Sequence, residues 1–459
     1  SVPPMAPSAS QEQAGLRLLR RLGSLALPRL LTGLIAMALK LSVWFLAAAR
    51  AGVVVPAFRP PRRGRLALMA TGLAAECGGL SDLAGLCDIF FESADGTRLH
   101  AVEDDGSRRL VGLRPIVFVH GFPELWVSWR RQLKAFADRG HPVLALSPRG
   151  YALSDKPRHL SAYHMDRLAE DVAAACRHSA STARPTKNGP ATQAPLLVAH
   201  DWGAAIAWHA AITAEAETGR PEIEPETVIP AEAAARRTKI GPDTAPNADA
   251  CAAPNAGTGR DPNADALPLA GTAASKMPVA GLVACGVPNP EAFYIAVTSS
   301  LSQLWASLYV LFFNMPLVPE LLLTANSGYY TAYATQLLPP IGRRRPSPSV
   351  EVSSMYRVNA TQPGSMSAML NYYRAALQLP PPPHVLGPDA KLKLPVVVVR
   401  ADQDIFLGEA LFHELGSYLA NFELVTLRQC SHWMTADAPD EINDVISCIL
   451  HKLEVGGAA

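Results

Sequence analysis

One aspartate sits at a junction where its side chain could attack. In Leu196-Leu197-Val198-Ala199-His200-Asp201-Trp202-Gly203-Ala204 an apolar run fit for a buried strand stops at a small residue. A helix-like run, Ala204 to Ala211, begins just beyond it. Small-x-Asp-x-small between strand and helix is the pattern of a nucleophile elbow. That turn is so tight that only small side chains fit on either side, and the central side chain is pushed up from the sheet edge. A serine there would suggest acyl transfer; a carboxylate instead attacks an electrophilic carbon and leaves an ester. The plainer alternative is that Asp201 caps the helix that follows, a frequent role for Asp.

Such a carboxylate needs a base to activate water against the ester and an acid to orient that base. The strand-like run Leu394 to Arg400 is followed by Ala401-Asp402-Gln403-Asp404, and the run Phe422 to Leu427 by Gln429-Cys430-Ser431-His432-Trp433. Nucleophile, acid and histidine in that chain order, each at the C-terminal end of a strand, places Asp201, Asp404 and His432 in the three roles. On spacing alone Asp402 competes with Asp404. Earlier in the chain, the apolar run Pro115 to His120 is broken by Gly121-Phe122-Pro123-Glu124. A glycine turn at that place lets backbone N–H groups form an oxyanion hole, with the amides of Phe122 and Trp202 as donors. The bland alternative is an ordinary Gly-Pro turn.

Holding these residues together requires a sheet. Ile89 to Glu92 and Leu99 to Val102, joined at Asp95-Gly96, read as a hairpin. Pro115–His120 is a continuous apolar run suited to a strand buried on both faces, and Val143–Leu146, Leu196–Ala199, Val279–Cys285, Leu394–Arg400 and Phe422–Leu427 read as further strands. Helices alternate with them: one carrying Trp126, Trp129, Leu133 and Phe136 along one side, one from Met165 to Cys176, and a closing amphipathic helix from Asp440 to Leu453. The alternation predicts an α/β architecture with a doubly wound, mostly parallel sheet. Phe293 to about Pro383 is aromatic and helical, without strand alternation, and reads as a helical cap inserted between strands. Ser179 to Ala194 reads as a polar loop. Thr213 to Met277, rich in Ala, Pro, Thr, Asn and Asp, reads as a disordered insertion, because it has too few large apolar residues to offset its ordering entropy.

The 459 residues carry a net charge of +1, which gives no reason to expect a nucleic-acid partner. Seven scattered cysteines, never spaced as CxxC, indicate neither a zinc site nor a disulfide framework, and nothing calls for a metal or an organic cofactor. Part of the high hydrophobic content, 49%, is concentrated from Leu30 to Ala49, where Lys40 is the only charge. A run of about 20 apolar residues is the length that spans a bilayer. It predicts a single-pass membrane anchor, with the endoplasmic reticulum as the expected membrane. Arginines on both sides, Arg29 and three before it against Arg50 and four after it, leave the orientation undecided. Pro28 and Lys40 keep open an amphipathic helix lying on a membrane or on the domain. The chain opens Ser1-Val2-Pro3-Pro4 without an initiator methionine, which reads as a fragment or processed form. The expected organisation is an anchor segment at 1–58 and a linker at 59–88. The first part of the core follows at 89–285, interrupted at about 213–277, then the cap at 286–385 and the second part of the core at 386–459.

Together, His120-Gly121-Phe122-Pro123-Glu124, Arg149-Gly150-Tyr151 with Ser154-Asp155, His200-Asp201-Trp202-Gly203 and His432-Trp433 resemble the epoxide hydrolases of the α/β-hydrolase fold. The resemblance runs from about Ile89 to Leu453 apart from the two insertions. Within that family the likeness is to the membrane-anchored epoxide hydrolases 3 and 4, which have a single N-terminal hydrophobic segment. The resemblance implies that two cap tyrosines hold the epoxide oxygen. The stretch from Leu308 to Pro316 looks like the first cap motif and Leu370 to Arg374 like the second, which places the roles on Tyr309 and Tyr373, with Tyr372 and the pair Tyr329-Tyr330 as alternatives. It further implies an epoxide and water as reactants; the apolar, aromatic cap and an anchor that would place the site near lipid make a lipophilic epoxide the expected substrate. Departures from the family are Ala199 where Gly is frequent, Ser147-Pro148 where an acidic residue usually precedes Arg149, and Ala152 for a common Gly. Haloalkane dehalogenases share the aspartate elbow and the tryptophan after it, but hold halide with a second Trp or Asn and lack the tyrosine pair. Fluoroacetate-type dehalogenases carry Arg where this chain has Trp202. A ligand-binding relative without activity would have no need of both Asp404 and His432.

Overall fold

The computed structural model describes residues 83–183, 193–218, 277–334, 350–382 and 390–455. Within them one eight-stranded sheet forms in the order β1-β2-β4-β3-β5-β6-β7-β8. The strands are β1 (Leu86–Glu92), β2 (Arg98–Asp104), β3 (Ile116–Val119), β4 (Val143–Ser147), β5 (Leu196–His200), β6 (Gly281–Cys285), β7 (Val396–Ala401) and β8 (Phe422–Leu427). β1 and β2 form the expected hairpin and β2 lies antiparallel to β4; the remaining neighbours are parallel. β3, β4, β5 and β6 are buried along their whole length, which is why their sequences read as unbroken apolar runs.

Parallel neighbours need crossovers, and helices supply them. α1 (Arg130–Asp138) continues a short 3-10 turn over Trp126–Trp129, and Trp126, Trp129, Leu133 and Phe136 are all buried. α2 (Met165–Thr182) and α3 (Trp202–Thr218) flank β5 in sequence. Both are longer than expected. α2 continues past Cys176 into the segment read as a loop from Ser179. α3 takes up residues 213–218 of the segment read as disordered, where Ala214-Glu215-Ala216-Glu217 are strong helix formers. The Glu215 carboxylate then accepts the N–H groups of Lys393 (2.8 Å) and Leu394 (2.9 Å), tying this end of α3 to the start of β7. β1 begins at Leu86, inside the segment expected to be linker. The rest of the insertion and the apolar run Leu30 to Ala49 lie outside the described residues.

The cap lies between β6 and β7. It comprises α4 (Pro290–Ser299), α5 (Leu301–Ala306), α6 (Tyr309–Phe313), α7 (Val318–Ala334), α8 (Val350–Thr361) and α9 (Ser365–Gln378). α7 is broken at Ala325–Gly328, where Asn326 and Ser327 adopt left-handed backbone (φ 52° and 55°). Arg357 of α8 donates to the freed carbonyls of Ser327 (3.0 Å) and Asn326 (3.3 Å). The cap is keyed to the core by buried bonds: the Tyr372 hydroxyl donates to the Arg149 carbonyl (2.7 Å), and Asn359 Oδ1 accepts the Ala152 N–H (3.0 Å). Arg149 is itself fully buried and held by Asp171 and Asp95. After the cap come β7, the short α10 (Leu415–Tyr418), β8, the short α11 (Met434–Asp437) and the closing α12 (Pro439–Val455).

Among the described residues no single helix is long and apolar enough to cross a membrane. α4 together with the stretch Leu301–Phe313 reaches that length and composition, but the pair is bent by 102°.

Candidate active site

Strand register brings the chemistry to one edge of the sheet. Val119 of β3 pairs with Ala199 of β5, so the chain leaves the two strands side by side and Gly121 comes to lie against Asp201. Farther along the same edge, Ala401 pairs with Leu427, which sends residues 402–404 and 429–433 off together.

Asp201 is the hinge between β5 and α3, and its backbone is left-handed (φ 51°). For a non-glycine residue that conformation costs about 1–3 kcal/mol, a strain typical of positions held for a function. The turn leaves no room around it. A Cβ on Gly121 would sit 2.4 Å from the Asp201 Cβ and Oδ1, and a Cβ on Gly203 would sit 2.5 Å from the Val119 carbonyl oxygen. These two glycines are required by close approach. The Asp201 side chain does not cap α3: Oδ1 accepts the Phe122 N–H at 2.7 Å, and Oδ2 lies 3.5 Å from His432 Nε2. Trp202 opens α3, so its N–H has no partner within the helix.

His432 Nδ1 meets Asp404 Oδ2 at 2.8 Å. The other oxygen of Asp404 accepts the N–H groups of Phe406 (2.8 Å) and Leu407 (3.0 Å), which fixes the carboxylate plane. Asp402 instead accepts the Cys430 N–H at 3.2 Å. Of the two carboxylates that spacing left open, Asp404 is the one that reaches the His432 ring.

The three groups tune one another. Burial alone would raise the Asp201 carboxyl, but the hydrogen bond and charge of His432, with His200 and the Phe122 N–H, hold it below its ordinary 3.8. Burial alone would lower His432. The charge of Asp404 and the hydrogen bonds to Asp201 and Asp404 outweigh it and raise the imidazole well above its ordinary 6.5.

Two cap tyrosines close the site from above. Tyr373 of α9 packs edge-on against Trp202 (5.0 Å between ring centroids) and Phe122 (5.2 Å). Tyr309, at the start of α6, packs edge-on against Tyr373 (6.0 Å) and Phe406 (5.4 Å). The two phenols thus sit side by side over Trp202, each within the same cluster of rings. Burial, followed by nearby charge and hydroxyls that include Asp201, raises both phenols, so both are neutral donors. The Tyr372 hydroxyl is directed elsewhere and donates to the Arg149 carbonyl. Tyr329 lies beside Arg357, and the Tyr330 side chain lies outside the described residues.

A second buried pair was not visible in the sequence beyond its place in the motifs. Glu124 Oε2 lies 2.7 Å from His200 Nδ1, and His200 Nε2 lies 2.9 Å from the His432 carbonyl oxygen. A carbonyl only accepts, so Nε2 carries a proton, and a second proton lies between Nδ1 and Glu124. Burial would raise Glu124, but the charge and hydrogen bond of His200 hold it below its ordinary range. The pair thereby holds the backbone carbonyl of His432, while Asp404 holds its ring. Because the partners are 76 residues apart in the chain, only the β3–β5 register could have revealed it. Among the described residues no group of His, Cys, Asp and Glu is arranged to hold a metal ion.

Comparison with known proteins agrees with this architecture. Residues 114–218 match the family described as alpha/beta hydrolase fold. The chain is 27% identical over 362 residues to Epoxide hydrolase 3 of Xenopus tropicalis, covering 78% of this chain and 76% of that protein. It is 26% identical over 361 residues to the AB hydrolase superfamily protein YfhM of Bacillus subtilis, covering 78% of this chain and 95% of that protein. Among solved structures it resembles the Bacillus megaterium epoxide hydrolase in complex with an inhibitor. There the TM-score is 0.52 and the identity 20%, over 79% of this chain and 99% of that one. The fold is that of the α/β hydrolases, and the resemblance to epoxide hydrolases 3 and 4 extends over most of the chain.

Proposed function

We propose that this α/β-hydrolase-fold protein hydrolyses lipophilic epoxides to vicinal diols through an alkyl ester on Asp201. One observation carries the reading: a single carboxylate faces an Asp404-oriented imidazole through one oxygen, beneath a cap that presents two neutral phenols. The first step needs an ionised carboxylate and an acid for the departing oxygen. Asp201 attacks an epoxide carbon, the C–O bond of the ring breaks, and Tyr309 and Tyr373 hydrogen-bond the developing alkoxide and supply its proton.

The second step needs a base, and the charge balance provides one. In the resting site His432 lies between two carboxylates. Alkylation removes the charge of Asp201, so the imidazole keeps only Asp404 and its pKa falls. Neutral His432 then takes a proton from water, hydroxide adds to the ester carbonyl, and the Phe122 and Trp202 amides hold the resulting oxyanion. Collapse of that intermediate breaks the ester C–O bond and regenerates the Asp201 carboxylate; of the two protons of the added water, one goes from His432 to the departing diol oxygen and the other restores the tyrosine phenol. Haloalkane dehalogenation is the second reading. It is less well supported, because the rings packed on Trp202 are those of Tyr372 and Tyr373, where a halide site would need a second Trp or Asn donor.

The lipophilic substrate is supported by the rings around the site: Phe122, Phe313 and Phe406 pack on the two tyrosines. A single N-terminal anchor at Leu30 to Ala49, placing the protein on a membrane such as the endoplasmic reticulum, is part of the same reading. The cap adds support by exposing Tyr294, Leu301, Trp305, Leu317 and Leu321. The test is turnover of a long-chain aliphatic epoxide beside a small polar epoxide and a 1-haloalkane, with diol and halide both measured. Diol from the long-chain epoxide, formed faster than from the polar one, is expected. Halide release without diol would overturn the reaction, and faster turnover of the polar epoxide would overturn the substrate class.

A further inference from the structure

Helix α5 is inverted. Its large apolar side chains Leu301, Leu304 and Trp305 are exposed, and the polar Gln303 is its one buried residue, 1% exposed. A buried primary amide is costly unless it is bonded. Gln303 is bonded to a single loop at two points: Nε2 donates to the Phe406 carbonyl (2.8 Å), and Oε1 accepts the Gly408 N–H (2.9 Å). Nε2 also donates to Ser307 Oγ at 3.1 Å, within its own segment of the cap.

The loop it grips is the one that begins with Asp404. The N–H groups of Phe406 and Leu407 fix one oxygen of that carboxylate while the other meets His432. The Phe406 ring lies 5.2 Å from His432 and 5.4 Å from Tyr309. A cap side chain therefore holds the backbone that aims Asp404, and the same cap segment carries Tyr309 a few residues on.

We propose that Gln303 is a positioning residue that couples the cap to the acid of the triad, holding the 404–408 loop so that Asp404 stays aimed at His432. The inference rests on the proposed roles of Asp404 and His432 in ester hydrolysis. It also explains the residue type, since the loop offers a carbonyl and an N–H side by side and a primary amide matches both. Gln303→Leu matches neither. Gln303→Glu still accepts from Gly408 but sets a carboxylate oxygen against the Phe406 carbonyl. From the other side, Gly408→Ala would place a Cβ 3.2 Å from Gln303 Oε1 and crowd the same contact.

The experiment is single-turnover kinetics on a long-chain aliphatic epoxide, with the two steps resolved, for the wild type, Gln303→Leu, Gln303→Glu, Gly408→Ala and the exposed control Ser302→Ala. The expected result is ester formation within about 3-fold of wild type and ester hydrolysis slower by roughly 10–100-fold in the Gln303 variants, the scale that a small misplacement of a catalytic group produces. The alkylated Asp201 peptide should then accumulate. Gly408→Ala should move the same way by less, and Ser302→Ala should not move. A second readout needs no turnover: NMR titration of the His432 imidazole should show a lower pKa in the Gln303 variants. Equal slowing of both steps with an unchanged His432 titration would reduce Gln303 to a structural residue and overturn the proposal, as would wild-type behaviour in every variant. If the wild type makes no diol, the proposed reaction fails, and the His432 titration still decides the role of Gln303.

Discussion

The two halves of the site are held by different physics. The lower half is held by backbone: β3 and β5 run in register, Gly121 touches the Asp201 side chain, and Gly203 touches the Val119 carbonyl. Nothing there can shift without moving the centre of the sheet. The upper half is held by rings, with Tyr309, Tyr373, Phe122, Phe313 and Phe406 in edge-on or tilted contacts at 4.8–6.0 Å between centroids. Such contacts are worth roughly 0.5–1.5 kcal/mol each beyond the area they bury, and side chains can repack around them. The lower half fixes the reaction, and the upper half is where substrate range can change.

That contrast can be broken most severely at the base. His432→Gln should leave ester formation possible and stop its hydrolysis. Steady-state turnover should fall by at least about 10⁴-fold while one equivalent of alkylated enzyme accumulates, measured by intact-protein mass spectrometry. Gly121→Ala comes next. Its new Cβ must displace the Asp201 carboxylate, so kcat/KM should drop by roughly 10²–10³-fold, checked against a folded circular-dichroism spectrum. In the ring-held half, Tyr309→Phe and Tyr373→Phe should each slow ester formation by roughly 10–100-fold. Each phenol is one of two donors, and general acids are typically worth 10²–10⁴-fold, so the double variant should be far worse than either single. A single Tyr→Phe variant as inactive as His432→Gln would erase the distinction between the halves.

The smallest expected effect sharpens the electrostatics. Asp201 and Asp404 both favour the imidazolium, so Asp201→Asn should lower the His432 pKa from its raised value, measured by NMR titration. For the same reason ester hydrolysis should increase with pH through a His432 pKa lower than that of the free enzyme. Ester formation should persist into acid, because Asp201 stays ionised there. It should fade only in alkali as the phenols ionise.

Much of the backbone-held half was legible in the sequence. Strands buried on both faces leave unbroken apolar runs, and an elbow must use small residues around its central side chain, so β3, β5 and β7 and the residues that leave them could be placed; β8, whose first three residues are exposed, was legible from its strand-forming residue types alone. The rest depends on packing. Asp402 and Asp404 follow the same strand, and only the turn between them decides which reaches His432. Tyr372 and Tyr373 are neighbours on one helix and point about 100° apart, so the Arg149 carbonyl captures one and leaves the other to the site. The Glu124–His200 pair joins distant residues. α5 defied hydrophobic patterning altogether, because its inward face carries a glutamine bonded to a loop that lies about a hundred residues away in sequence.

The most direct measurement is a single turnover of a long-chain aliphatic epoxide in ¹⁸O-labelled water with enzyme in excess, followed by mass analysis of the diol and of the peptide containing Asp201. An ester on Asp201 requires that the water oxygen enter the carboxylate and that the diol take its new oxygen from the protein. The expected result is therefore labelled Asp201 and unlabelled diol. Labelled diol with an unlabelled Asp201 peptide would mean that water attacks the epoxide directly, and would contradict Asp201 as the nucleophile.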